Sequence, residues 1–261
     1  MQKTFDKKKF ISQNSIWLVL IALVIIMSVA QPHFFSVSNL TTLLTGEAVK
    51  GIMAFGVMFA ILSKGIDLTI GASAALVACI TASLVQPADY ANARFPGLGV
   101  LPVPVVIVIG LAVGAVIGAI YGAIIAYTKI PPFIATLGAQ LICRASAKMF
   151  TNRPISNLDA GKIGGFPVII LVFILMYAIS AFLLTQTRFG KNVYAIGGND
   201  QAARVAGINV EKNLIKVYIW CSLCAAIGGI LLAGRSGSAD SANSGLNYEL
   251  DAIAAATVGG T

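Results

Sequence analysis

The chain has 261 residues, 57% hydrophobic and only 11% charged, with a mean hydropathy of +0.88, whereas a soluble domain carries about 25% charge. That balance excludes a soluble enzyme or soluble binding module and leaves an integral membrane protein. The formal net charge of +8 raises nucleic acid as a partner, but the placement of the charges, taken below, removes it.

Residues 1–14 are polar, with Lys3, Lys7, Lys8 and Lys9, and read as a tail. The apolar run at 15–33 lacks a small-residue cleavage pattern at its end and is followed by further apolar runs, so it reads as a span and not as a removable signal. A helix crosses the bilayer core with about 20 residues, and further candidates lie at 46–63, 68–85, 104–127, 133–150, 168–184 and 214–233. An eighth, 250–260, is cut off by the end of the sequence. Backbone in lipid must be paired internally, and no series of short alternating strands suggests a barrel. The class is therefore an all-α polytopic membrane protein, with about seven full transmembrane helices and a truncated eighth.

Taken in order, Glu47 and Lys50 open the second span at spacing three and read as a local pair at the outer interface. Lys64-Gly65-Ile66-Asp67-Leu68 joins the second and third spans. Gly65 breaks one helix there, and Asp67 caps the next, within reach of Lys64; ion pairing with a substrate cation is the sharper alternative for Asp67. In the fourth span Gly110, Gly114, Gly118 and Gly122 recur every four residues, a stripe that lets a neighbouring backbone approach closely. Arg144 and Lys148 share a face of the fifth span, where each would cost about 2.5–3.5 kcal/mol at the bilayer centre. They snorkel outward or line a wet cavity. Cys79, Cys143, Cys221 and Cys224 all fall in apolar segments, so Cys221-Ser222-Leu223-Cys224 reads as two small core residues rather than a redox pair.

The polar stretch 185–213 contains a short helix with both ends signalled. Asn199 is a favoured N-cap, Asp200 adds negative charge to the first turn, and Gly207 supplies a left-handed C-terminal position. Two turns are too short to stand alone in water, so this helix needs a surface to dock on.

Orientation follows from Lys and Arg. With the N-terminus cytoplasmic, eleven fall inside (Lys3, Lys7, Lys8, Lys9, Lys64, Lys129, Arg188, Lys191, Arg204, Lys212 and Lys216) and five outside (Arg94, Lys148, Arg153, Lys162 and Arg235). The positive charge is thus a topology signal, and the 185–213 loop is cytoplasmic. In this topology the junction at Asp67 is cytoplasmic and the similar one at Tyr248-Glu249-Leu250-Asp251 is external, the relation expected of an inverted repeat. In that case the counterparts of two spans are missing from the second half.

No phosphate-binding G-x-x-x-x-G-K-[ST] is present, and His33 is the only histidine. H-E-x-x-H and G-x-S-x-G are absent too. The chain therefore offers no catalytic residues, no metal site and no nucleotide cradle of its own. A secondary transporter or channel for a small polar solute is the alternative to a permease subunit, but no carboxylate falls in the middle of an expected span.

Several blocks together resemble the permease subunits of bacterial ABC importers for monosaccharides, the ribose/galactose/xylose branch. They are Gly65-Ile66-Asp67-Leu68, Pro131-Pro132-Phe133-Ile134-Ala135-Thr136-Leu137-Gly138, Thr187-Arg188-Phe189-Gly190-Lys191-Asn192, Ala195-Ile196-Gly197-Gly198-Asn199, Ala202-Ala203-Arg204 with Gly207-Ile208, and Tyr248-Glu249-Leu250-Asp251-Ala252-Ile253-Ala254-Ala255. Asn92-Ala93-Arg94-Phe95-Pro96 and Ala233-Gly234-Arg235-Ser236-Gly237-Ser238-Ala239 look most like the galactose/methyl-galactoside permeases.

The resemblance implies a multi-pass protein of the bacterial inner membrane, a permease domain over 15–261, a second permease copy, a periplasmic-type sugar-binding protein, and an ATPase subunit that hydrolyses the ATP. The chain itself would bind no cofactor. Gly197, Gly198, Asn199, Asp200, Ala202, Ala203, Arg204 and Gly207 would form the element that docks on the ATPase. Ala202, Ala203 and Ala206 suit close insertion, and Arg204 would meet acidic partner groups. Asp67, Arg144, Tyr248, Glu249 and Asp251 are structural or pathway candidates, with Asn243 and Asn247 offering hydrogen bonds near the outer face. Family members continue beyond Gly259-Gly260-Thr261, so the sequence is expected to be incomplete at its C-terminus.

Overall fold

The structure, a computed structural model, describes residues 14–87, 93–95, 97–151, 155–156, 161–163 and 166–261. Lys3, Lys7, Lys8 and Lys9 of the expected tail, Asn92 and Pro96 of one family block, and Arg153 lie outside the described residues. The chain divides into two compact units, Met1–Gly46 and Glu47–Thr261.

In the first unit, α1 (Ser15–Ala30) is apolar on every side and buries none of its residues, as suits a helix whose solvent is lipid. A turn follows, and α2 (Val37–Leu62) begins. Its first turn is closed by Ser36, whose Oγ accepts the Asn39 N–H at 3.3 Å. The helix starts nine residues before the expected position 46 because its polar first turns are self-satisfied: the hydroxyls of Thr41, Thr42 and Thr45 donate to the carbonyls of Val37, Ser38 and Thr41. The earlier start carries Glu47 and Lys50 into the interior of the helix. The expected local pair is present, Lys50 Nζ lying 3.3 Å from Glu47 Oε1.

The second unit holds the remainder of α2 and eight further helices among the described residues: α3 (Ile70–Leu84), α4 (Val103–Thr128), α5 (Pro132–Phe150), α6 (Val168–Gln186), α7 (Arg188–Gly198), α8 (Asp200–Val205), α9 (Val210–Ser236) and α10 (Tyr248–Val258). Two-residue strands tie its loops. β1 (Ile155–Ser156) pairs antiparallel with β4 (Ser238–Ala239), and β2 (Lys162–Ile163) with β3 (Phe166–Pro167). Every expected apolar segment contains a helix, but among the described residues only α2, α4, α6 and α9 are long and apolar enough to cross a membrane by length and composition. α3 has 15 residues and is buried almost throughout, so its short length is compatible with a position enclosed by other helices.

The packing centre is α9. The expected glycine stripe of α4 lies against it: a Cβ on Gly118 would fall 2.5 Å from the Tyr218 carbonyl oxygen, and one on Gly114 would fall 2.6 Å from the Ala226 Cβ. Gly229 of α9 meets the backbone of Ala74 on α3, and Gly56 of α2 meets Cys221 and Cys224. Close helix approach therefore radiates from α9 on three sides, which is what small residues supply where lipid offers no hydrophobic drive. The four cysteines are free and buried, and Cys221 Sγ donates to the Gly56 carbonyl at 3.1 Å.

Candidate functional site

The 185–213 segment is built from two helices, not one. α7 follows α6 after a single residue, Thr187, whose hydroxyl accepts the Gly190 N–H at 3.2 Å. Gly190 allows the sharp turn, since a Cβ there would collide with the Leu184 carbonyl. Sequence reasoning missed α7 because three of its eleven residues are glycine. The available signal was the Thr187 cap with Phe189, Val193 and Ile196 on one face. Phe189 stacks on Phe59 of α2 with ring centroids 5.7 Å apart.

α8 has the expected caps. Asn199 Oδ1 accepts the Ala202 N–H at 3.0 Å, and Gly207 takes φ +82°. The Gly207 N–H donates to Arg204 and the Ile208 N–H to Ala203, the Schellman pattern. The orientation of the helix differs from the expectation at two residues. Ala203 is only 4% exposed and packs with Ile196 and Val210, so its methyl serves the chain's own fold rather than an inserting face. Arg204 is engaged by Glu211 of the same chain. What α8 shows to the outside is Asp200, Gln201, Ala202, Ala206 and, above all, Val205, 91% exposed.

This pair of helices is fastened to the α2–α3 loop. A Cβ on Gly197 would overlap the Leu62 carbonyl, and Lys64, in the left-handed region at φ 61°, donates from Nζ to the Gly198 carbonyl at 3.1 Å. Lys64 is thus turned to α7 and not to Asp67, as expected from the sequence. A cleft of about 450 Å³ opens beside it, lined by Lys64, Lys129, Pro132, Asp200 and Arg204 among others.

Asp67 is fully buried. Its Oδ1 accepts the Thr69 N–H at 2.9 Å and its Oδ2 accepts the Tyr121 hydroxyl at 2.7 Å. Thr69, not Asp67, is the residue before α3. The Thr69 hydroxyl donates to the Thr136 carbonyl and the Thr136 hydroxyl to the Ile66 carbonyl. The loop from Lys64 to Thr69 is therefore pinned to α7, α4 and α5 in turn. Gly65 is required where it stands, because a Cβ would lie 2.3 Å from the buried Tyr218 hydroxyl.

The remaining candidates gather where α10 begins. Arg144 does not snorkel: its guanidinium donates to the carbonyl of Ser244 at 2.7 Å and, more weakly, to those of Ser241, Ala242 and Gly245. It organises the 240–247 loop. Lys148 is exposed. In the same loop Asp240 accepts the Ala242 N–H and the Asn243 amide. Partial burial pushes its pKa up, but these hydrogen bonds outweigh it and hold the carboxyl below its ordinary value. Asn247 takes φ 63° just before α10. Glu249 is buried, takes a hydrogen bond from Gln140 at 2.8 Å, and lies over Gly71, which has no room for a Cβ. Asp251 pairs with Lys50 at 3.1 Å, Lys50 pairs in turn with Glu47 at 3.3 Å, and the Lys50 ammonium sits 5.6 Å from the Tyr248 ring centroid.

The family described as "Branched-chain amino acid transport system / permease component" matches residues 39–261. The galactose/methyl galactoside import permease of Escherichia coli (strain K12) is 41% identical over 273 residues, covering 98% of this chain and 81% of the relative. The corresponding permease of Haemophilus influenzae is 40% identical, covering 99% of this chain and 80% of the relative. The ribose import permease of Bacillus subtilis (strain 168) is 38% identical, covering 94% and 75%. No solved structure matches. By these matches the chain belongs to that permease family, and it is a multi-pass inner-membrane permease subunit of an ABC importer.

Proposed function

We propose that the chain carries a monosaccharide of the galactose/methyl-galactoside type into the cytoplasm, powered by ATP hydrolysis on a partner subunit. The relatives above carry those sugars in their names, and the chain has no phosphate-binding loop of its own. A periplasmic-type binding protein delivers the sugar, a second permease copy completes the pathway, and the α7–α8 end faces the cytoplasm. The Lys and Arg bias supports that orientation.

The observation that carries the coupling role is α8. It is a six-residue helix with both ends closed, one face locked to its own chain and the other ending in a valine exposed to 91%. One exposed apolar side chain needs no partner by itself, but this one tips a helix too short to be stable without a surface to pack on, and it is assigned to the partner surface on that ground. ATPase closure would move α8, and the Lys64–Gly198, Asp67–Tyr121 and Thr69–Thr136 bonds would pass the movement to α4 and α5 as a rigid-body change. The test is purification of the full importer with Ala202→Trp. Loss of sugar-stimulated ATP hydrolysis and of uptake, with normal membrane insertion, is the expected outcome. Unchanged coupling with a bulky residue at 202 would place the ATPase contact elsewhere.

A further inference from the structure

We infer that the face carrying Glu47, Lys50, Tyr248 and Asp251 is a water-filled wall of the permeation pathway that contacts a neutral polyol. This rests on the permease reading above. Residue 50 lies twelve positions before Leu62 in α2, about 18 Å along the helix axis at ~1.5 Å per residue. The hydrocarbon core is about 30 Å thick, and the Leu62 end is marked by the polar α7–α8 segment against it. Lys50 and the Asp251 carboxylate paired with it therefore sit near the middle of that core, and Glu47, about 22 Å along the axis, lies nearer its far side but still within it. They are also not enclosed: the side chains of Glu47 and Asp251 are 70% and 50% exposed. A lipid-facing surface cannot hold two half-exposed carboxylates and an ammonium at that depth. Ionisable groups there turn to a bundle interior or to water.

The chemistry narrows the occupant. Two carboxylates accept hydroxyl protons, one ammonium donates to a hydroxyl or ring oxygen, and the Tyr248 ring offers an apolar face for the C–H side of a sugar. The three charges sum to −1, which repels an acidic sugar and admits a neutral one. Glu249, the neighbour of Tyr248 in α10, is buried and takes its hydrogen bond from Gln140.

The test uses single cysteines in the full importer. The native cysteines are buried and leave a low background. Glu47→Cys and Asp251→Cys are expected to react with a water-soluble cationic methanethiosulfonate on the order of tenfold faster than Leu175→Cys, a residue of α6 that is 57% exposed. Galactose should slow both reactions, and galacturonate should not. The proposal is overturned if Asp251→Cys reacts as slowly as Leu175→Cys, or if it cross-links to its twin, which would make the face a contact between copies. Rapid labelling indifferent to galactose would remove the sugar contact. ATP-driven galactose uptake by the unmodified importer in the same vesicles separates these outcomes from failure of the permease reading itself: if uptake is absent there, the parent reading falls and this one with it.

Discussion

The α4–α9 seam and the α2–α10 face meet the same solvent problem with opposite materials. Along the seam, side chains are deleted: Gly114, Gly118 and Gly122 let α4 settle on α9, where a methyl group would crowd its backbone, and Gly110 makes room for Thr81 of α3 and Ile230 of α9. On the face, side chains are long and charged, and the ion pairs of Lys50 leave Glu47 and Asp251 open. The seam is a dry contact that tolerates no change in volume. The face is a surface that tolerates change in shape but depends on charge. Stability should therefore concentrate in the first and transport in the second, and substitutions can be ranked by how hard they press on that division.

The largest effect is expected at the seam. In Gly118→Leu even the first added carbon would lie 2.5 Å from a carbonyl oxygen and 2.8 Å from the Ile219 Cα. Both are backbone atoms that cannot swing aside, so the cost should reach or exceed the upper end of the ~1–3 kcal/mol typical of overpacking. Thermal unfolding of the detergent-solubilised importer should show a large loss. Gly138→Leu on α5, where nothing lies within 4 Å of a Cβ, should be nearly silent. Equal stability of the two variants would mean that α4 and α9 are not in tight contact.

Tyr121→Phe comes next. It removes the hydroxyl that donates to Asp67 at 2.7 Å and leaves a fully buried carboxylate with one donor fewer, for an expected loss of about 1–3 kcal/mol. If the 64–69 loop transmits motion from α8, uptake per ATP hydrolysed should fall further than stability alone predicts. A loss in stability with coupling intact would leave the loop a purely structural tie.

The same division explains what the sequence could reveal. The glycine stripe and the Asn199 and Gly207 caps were legible because each is a local pattern with a fixed period or position. The start of α2 was not, because Thr41, Thr42 and Thr45 read as polar until their hydroxyls are seen returning to the preceding turn. α7 was masked by its glycines, whose reason lies in α6 and α2, at Leu184 and Leu62. The partners of Lys50 and Lys64 were hidden by distance along the chain, at Asp251 and Gly198. Residue types announced that these positions mattered. Only the tertiary fold decided which side chain each one met.

Lys50→Gln turns the comparison on the face. If Glu47, Lys50 and Asp251 stand in water, the change should cost less than about 1 kcal/mol of stability while sugar uptake drops. If the cluster is dry in the assembled importer, loss of the cation strands two carboxylates, and about 3–5 kcal/mol is the expected penalty. Unfolding and uptake measured on one preparation separate these cases, and the second result would make the face resemble the seam.

The smallest effect on stability and the sharpest on function should come from α8. Val205 touches little of its own chain, so Val205→Asp should change stability by no more than about 0.5 kcal/mol, as at other surface sites. Ala203→Trp is the opposite case: Ala203 is packed against Ile196 and Val210, so a large side chain there would disturb the fold of the segment before any partner arrives, and lost activity would say nothing about docking. Val205→Asp isolates the outer face alone. If it anchors α8 on the ATPase, a carboxylate in that apolar contact should release the ATPase during purification or abolish sugar-stimulated hydrolysis, while the permease remains folded in the membrane. Full coupling with aspartate at 205 would show that the exposed valine is incidental and that α8 engages its partner through Gln201 and Ala202 instead.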